Sequence, residues 1–294
     1  MHPRDLFLFT GESFLPVTIC LQWGENQLNT KQPDIWHHGL VAREWGEFAT
    51  DGGEESLCFK KIIETYGEPA LDLGCGSGRL LLPYVQAGLD VDGCDYSQDM
   101  LTQCQERASR GGLSLRLYAQ PMHELDLPRR YRTIIACGVI GLGGERQLTR
   151  KALRRCYEHL RPGGVFAFDF APRWNDPPAW LSRLPENRHT LPEEWEASGE
   201  RQLLADGCEL ELVARTVAVD PLEETQTRQM RARLWRNGEL IEEQIHTQRY
   251  EEYGKNELVL LLERAGFGDI QIRGGYNDEP ATPDHTDLVF IARK

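Results

Sequence analysis

Pro69-Ala70-Leu71-Asp72-Leu73 runs straight into Gly74-Cys75-Gly76-Ser77-Gly78, and the reading of this join decides the fold. A short apolar segment of strand length gives way to closely spaced glycines, and Arg79 to Ala87 then reads as a helix closed by Gly88. Glycines let the backbone turn sharply and approach a ligand closely, and a helix start offers N–H groups without partners of their own. In an open α/β sheet, ligands bind beyond the carboxyl ends of the strands, where such a join lies. Two readings compete. A dinucleotide fingerprint, G-x-G-x-x-G, needs its last glycine where Arg79 stands. The chain instead has an acid two places before a compact G-x-G-x-G.

Outward from the join the pattern alternates. Leu89 to Cys94 reads as a strand ending on Asp95, and Ser97 caps a helix with Met100, Leu101 and Cys104 on one face. Leu113 to Tyr118 alternates with period two, as a strand does, and Thr133 to Cys137 is the next strand. Glu145 to Leu160 is a helix stopped by Arg161-Pro162-Gly163-Gly164, and Val165 to Phe170 is again a strand. Strands alternating with helices of this length predict βαβ units and a mostly parallel sheet covered on both faces. Upstream, Asp34 is placed to cap a helix carrying Trp36, Leu40 and Phe48, and a second helix runs near Glu54 to Tyr66.

The rhythm then changes. Pro172 to Pro192 reads as a loop or irregular cover, and 208–219, 228–235 and 240–250 as antiparallel strands, with a hairpin turn at Asn237-Gly238. Asn256 to Ala265 is helical with Gly266 as its stop, and segments 269–272 and 288–291 are the final strands. The expected division is an N-terminal extension at 1–33, N-terminal helices and a cofactor-binding core at 34–172, a loop and antiparallel insert at 173–250, and the rest of the core at 251–294.

The 294 residues carry 33 Lys+Arg against 46 Asp+Glu, a formal net charge of −13. Phosphate neutralisation needs a surplus of cations, so a nucleic-acid partner is disfavoured. Apolar residues at 40% and charged residues at 27% are ordinary globular composition. The eight cysteines show no CxxC pair, which points to reduced thiols rather than a zinc site or a disulfide framework. No window approaches a membrane span, and Gly11-Glu12-Ser13 breaks the apolar start before a signal core forms. The expectation is a cytoplasmic protein with no metal.

The join resembles the first motif of the class I S-adenosylmethionine-dependent methyltransferases: an acid, an apolar residue, then G-x-G-x-G. The resemblance continues through Asp95, then Ser97 and Met100, then Gln120-Pro121-Met122 after the third strand, and Leu160-Arg161-Pro162-Gly163-Gly164 before the fifth. It covers roughly Ala70 to Phe170, and Leu262 to Phe267 before the last two strands also fits. It implies a Rossmann-like α/β fold: a seven-stranded, mostly parallel sheet with helices on both faces, and an antiparallel insert between strands five and six. The implied cofactor is S-adenosyl-L-methionine, held by Asp72, Leu73, Gly74, Cys75, Gly76 and Gly78 after the first strand. Asp95 would meet the ribose hydroxyls, Tyr96, Met100 and Met122 the adenine, and Cys137, Gly138 and Val139 the methionine end. The family's loop after strand three commonly starts with Gly-Asp. Here Gln120-Pro121 stands there, leaving Gln120 to accept from the adenine amine through its side-chain oxygen.

The implied activity is methyl transfer to a small-molecule acceptor, an amine ahead of a hydroxyl. An NAD(P)-dependent oxidoreductase and a cofactor-binding regulatory protein are the alternatives. The insert and the Trp36–Trp45 segment are expected to form a lid, with Trp36, His37, Asp169, Arg231 and Trp235 as candidate acceptor contacts. No residue is marked as a catalytic base.

Overall fold

Ala70–Leu73 forms β1, buried along its whole length, in the interior of a seven-stranded sheet. The computed structural model describes residues 35–49, 52–172 and 176–294. The expected extension at 1–33 and the expected cap Asp34 lie outside them. On one side of β1 run β2 (Val91–Asp95) and β3 (Leu117–Ala119); on the other run β4 (Tyr131–Ala136) and β5 (Leu160–Phe170). All five are parallel. The sheet is completed by β10 (Gly268–Gly274) and β11 (Leu288–Arg293), in the order β10-β11-β5-β4-β1-β2-β3, with β11 antiparallel to both neighbours. The connections reverse direction between β1 and β4, which opens a crevice at their carboxyl ends.

Strand alternation divides the core between two faces. Phe166, Phe168 and Phe290 face one side, where Phe168 and Phe290 stack with ring centres 4.8 Å apart. This side is covered by α5 (Arg146–His159) and α8 (Lys255–Ala265). Val165, Ala167, Val289 and Ile291 face the other, under α2 (Gly53–Tyr66), α3 (Leu81–Gln86) and α4 (Gln98–Arg110). Ser97 caps α4, accepting the Met100 N–H at 3.2 Å, and Gly266 ends α8 with φ +111°.

Between β5 and β10 lies a second, four-stranded antiparallel sheet: β6 (Arg201–Leu203), β7 (Glu209–Asp220), β8 (Thr225–Arg236) and β9 (Glu239–Glu251), in that order. Asn237 and Gly238 join β8 to β9 with φ of 52° and 82°, the two positive values that a two-residue hairpin turn requires. The inner face carries Leu210, Ala232 and Leu234, which pack with Trp36, Leu40 and Val41. Leu40 and Val41 belong to α1 (Gly39–Phe48).

Several local expectations are corrected. The first helix starts at Gly39, so Trp36 precedes it. Its leading N–H groups are taken by distant side chains: Gly39 donates to Asp99 at 2.7 Å and Leu40 to Gln244 at 2.9 Å. The alternating segment 113–118 pairs with β2 as a strand only from Leu117. Strand β6 was not expected, and the cover at 172–192 contains two short helices, α6 (Pro177–Leu181) and α7 (Pro185–Arg188). No helix among the described residues is long and apolar enough to cross a membrane.

Candidate cofactor and acceptor site

The crevice beyond β1, β2 and β4 is a cavity of about 270 Å³. The turn after β1 shapes its floor. Gly74 and Cys75 donate their amides to the Cys94 carbonyl at 2.7 and 3.1 Å, which draws the turn onto β2. Gly74 has φ +79°, and a Cβ there would stand 2.2 Å from Val139 Cγ1, so the turn and the segment after β4 meet across a gap only glycine allows. Gly76, at φ +53°, donates to Asp95 Oδ2 at 2.8 Å, while Asp95 Oδ1 accepts Ser97 N–H at 2.7 Å.

Asp72 is 2% exposed, and its Oδ2 has no hydrogen-bond partner. Burial first, then the neighbouring Asp95 charge, pushes its pKa up to about 7. Burial also raises Asp95, against the N–H groups that favour its charged form. Arg79 lies on the same wall, donating to the Gly52 carbonyl at 3.2 Å, to the Glu55 carboxylate, and to Cys137 Sγ at 3.6 Å.

Thirteen residues expected to meet the cofactor line this cavity together: Asp72, Leu73, Gly74, Cys75, Gly76, Asp95, Tyr96, Met100, Gln120, Met122, Cys137, Gly138 and Val139. Gly78 is not among the lining residues. Its φ is +84°, and a Cβ there would meet Cys104 Sγ at 2.7 Å, so it serves the close packing of the turn on α4. Gln120 lines the cavity but its amide is engaged at both ends: Oε1 accepts Asp126 N–H at 2.8 Å and Nε2 donates to the Asp126 carbonyl at 3.3 Å. It braces its own loop, and Oε1, with one of its two lone pairs used, can still accept from a further donor.

Among the expected acceptor contacts, His37 lines the cavity, and burial followed by the adjacent His38 lowers its pKa to about 4. Trp36 instead packs on the inner face of the second sheet. Asp169 sits behind the cavity wall, where Gly138 N–H (2.6 Å), Cys137 Sγ (3.2 Å) and the Tyr276 hydroxyl (2.7 Å) all donate to it. Arg231 and Trp235 fall on the outer face of the second sheet. Arg231 there approaches buried Glu211 and donates to the Glu196 carbonyl at 2.8 Å, and Trp235 lies under Arg201. Side chains alternate along a strand, so neither reaches the inner face.

The sequence reading missed the segment that closes the cavity opposite β1. Ile140 to Gly143, with Glu145, Leu148 and Thr149, line it. Gly143 donates to the Arg249 carbonyl at 3.1 Å and Glu251 to the Gly141 carbonyl at 2.7 Å, which ties this segment to the end of β9. The glycines at 141, 143 and 144 were a visible signal of irregular backbone, but their partners are about a hundred residues away. Ile35 and Trp45 also line the cavity, and Ser77 donates to the Trp45 carbonyl at 3.0 Å.

Residues 70–164 match the family model described as a methyltransferase domain. A putative methyltransferase from Geobacillus sp. is 30% identical over 148 residues, 50% of this chain and 54% of that protein. A ubiquinone biosynthesis O-methyltransferase from Nitrobacter winogradskyi is 31% identical over 97 residues, 33% of this chain and 36% of its own. The chain thus spans about half or less of the length of these curated relatives. Among solved structures, the CcbJ methyltransferase of Streptomyces caelestis covers 86% of this chain and 95% of its own at 19% identity, with a TM-score of 0.64. The sugar N-methyltransferase KedS8 of Streptoalloteichus sp. covers 98% of this chain and 100% of its own at 15% identity, with a TM-score of 0.63. These two structures share the fold.

Proposed function

We propose that this chain, whose residues 70–164 belong to the class I S-adenosylmethionine-dependent methyltransferases, moves a methyl group from that donor to a small-molecule amine. The observation that carries the reading is the pair of acids at the tips of adjacent strands, Asp72 and Asp95, flanking one glycine turn in one crevice. The donor has a cationic amino-acid end, a ribose diol and an adenine, and the residues present fit it. Asp72 offers a buried carboxyl oxygen that lacks a partner, suited to the ammonium group. Asp95 accepts the Gly76 N–H on Oδ2 and the Ser97 N–H on Oδ1, with the Tyr96 N–H as a third donor, and a carboxylate with about four acceptor sites still has room for a hydroxyl. Tyr96, Met100 and Met122 supply the apolar surface for the base.

When bound, the donor supplies a methyl group already on a good leaving group. The protein's task is then to hold the acceptor in line and keep water out. Cys137, Gly138 and Val139 are assigned as the wall at the methionine end, and the Asp169 carboxyl group holds the first two of them. A hydroxyl acceptor would need a strong base. His37, with its pKa near 4, is a weak one, and burial likewise lowers His123. Asp72 and Asp95 are assigned to the donor, and the remaining lining acid, Glu145, is a carboxylate rather than a strong base. An amine bound in its neutral form is nucleophilic without a base and gives up its proton to water after the transfer, which supports the amine reading. The strap at 35–48 and the second sheet, packed on each other, are assigned as the acceptor lid.

Calorimetry with S-adenosylhomocysteine against NAD(H), followed by turnover on paired amine and hydroxyl acceptors, tests the reading. Binding of the first ligand alone and methylation of amines is the expected result. NAD(H) binding in this crevice, or transfer to hydroxyls only, would overturn it.

A further inference from the structure

Three residues before Arg231, strand β8 turns another arginine the other way. Arg228 shares the inner face with Met230, Ala232 and Leu234, and it pairs across the sheet with Thr216 and Gln248. Its guanidinium carbon lies 5.9 Å from the centre of the Trp36 ring. Arg231 and Arg233, on the outer face, approach the Glu211 carboxylate, and Arg215 donates to Gln229. Arg228 has no ion pair and no side-chain hydrogen bond among the described residues, and its Nε–H is buried without an acceptor.

Arg228 does not line the cavity, but two links connect its surroundings to the wall. Trp36 is next in sequence to His37, which lines it, and its ring packs 5.8 Å from that of Tyr250. Tyr250 in turn bridges to Leu142, another lining residue. A guanidinium lying over an aromatic ring keeps its N–H fork available, and the spacing of that fork matches a carboxylate or a phosphate. The cavity offers an anion no free cation among its described lining residues, since Asp72, Asp95 and Glu145 are acids and Arg79 is engaged by Glu55. An acceptor bearing an anionic group therefore needs a cation outside the donor half of the crevice.

We propose that Arg228, over the Trp36 ring and one residue's reach behind the His37 wall of the cavity, anchors a carboxylate or phosphate of the acceptor. The substrate class is then an amine carrying such a group. This rests on the methyltransferase reading above and adds the chemistry of the acceptor to it.

The test uses the full chain loaded with S-adenosylhomocysteine and titrated with inorganic phosphate, acetate and neutral acetamide, followed by tryptophan fluorescence and calorimetry. Saturable binding of phosphate or acetate in the millimolar range is expected, with none for acetamide. Whichever anion binds more tightly distinguishes a phosphate from a carboxylate acceptor. Arg228→Met should weaken that binding at least tenfold, and Arg228→Lys should retain part of it. Affinity for S-adenosylhomocysteine should be the same in all three proteins. Should Arg228→Met not fold, Arg228→Gln provides the same comparison. Absence of saturable anion binding in the wild type, or unchanged binding in the folded Arg228 variants, overturns the proposal. Failure to bind S-adenosylhomocysteine at all would instead overturn the donor reading, so the two failures are distinct.

Discussion

The Gly76 amide donates to Asp95 Oδ2 at 2.8 Å, so the tip of β2 holds the turn that follows β1. The carboxylate assigned to the ribose thus also sets the shape of the loop assigned to the methionine end. The two parts of the site are not independent, and loss of either damages both.

Asp95→Ala removes the acceptor of Gly76 N–H and of Ser97 N–H together with the ribose contact. Hydrogen bonds to charged groups contribute about 1.5–3 kcal/mol each, so affinity for S-adenosylhomocysteine should fall by about 2 kcal/mol or more, read by calorimetry. Asp95→Asn, which keeps one acceptor oxygen, should fall between the two. Unchanged affinity in Asp95→Ala would move the ribose contact elsewhere.

Asp72 predicts a pH dependence with a definite sign. Its pKa of about 7 in the folded protein stands above the 3.8 of an ordinary aspartate, so the native state holds a proton that the unfolded chain has lost between those values. The stability it contributes is present below about pH 4 and is lost as pH rises through about 7. Donor binding runs the other way, because an ammonium group needs the ionised carboxylate. Affinity for S-adenosylhomocysteine should therefore rise between pH 6 and 8, with proton release seen as a buffer-dependent calorimetric enthalpy. Asp72→Asn should flatten the profile. A flat wild-type profile would show that Asp72 does not change its ionisation on binding.

The parts of this site that were legible in the sequence are those held by local backbone chemistry. Glycines at 74, 76 and 78 announce a turn, Ser97 announces a cap, and Asp95 ends a strand beside them. What stayed hidden depends on phase and on distant partners. The strand period groups Arg231 with Trp235 but does not say which face meets α1, so Arg228 was passed over for the arginine that pairs with Glu211. The bracing of Gln120 by the Asp126 backbone was equally hidden, because it depends on the path of an irregular loop. Segment 140–143 acquires its place from β9, about a hundred residues onward, and no local pattern carries that pairing. Strand β6 is three residues long, too short to show a period.

Gly74 and Gly88 separate close approach from backbone conformation. Both have positive φ, +79° and +86°, but a Cβ at Gly74 would meet Val139 at 2.2 Å while one at Gly88 has no heavy atom within 4 Å. Gly88→Ala should therefore cost only the left-handed backbone penalty, about 1–2 kcal/mol, and leave donor binding intact. Gly74→Ala adds overpacking of about 1–3 kcal/mol and displaces the turn, so its melting temperature should fall further and S-adenosylhomocysteine binding should be lost. Equal melting temperatures for the two variants would mean that Val139 yields at little cost.

Asp169 is a positioning residue whose effect should appear in donor affinity although it does not line the cavity. It receives the Gly138 amide at 2.6 Å, the Cys137 thiol at 3.2 Å and the Tyr276 hydroxyl at 2.7 Å. Asp169→Ala leaves a backbone N–H behind the cavity wall without its acceptor, which costs about 1–3 kcal/mol and frees segment 137–139. Thermal unfolding should shift down, and affinity for S-adenosylhomocysteine should drop several-fold. Tyr276→Phe removes a single donor and leaves the Gly138 bond in place, so it should move both by much less. Asp169→Asn keeps an acceptor for the Gly138 amide and should restore most of the affinity lost in the alanine variant. If the asparagine and alanine variants bind equally, the carboxylate acts through its charge rather than by holding the loop.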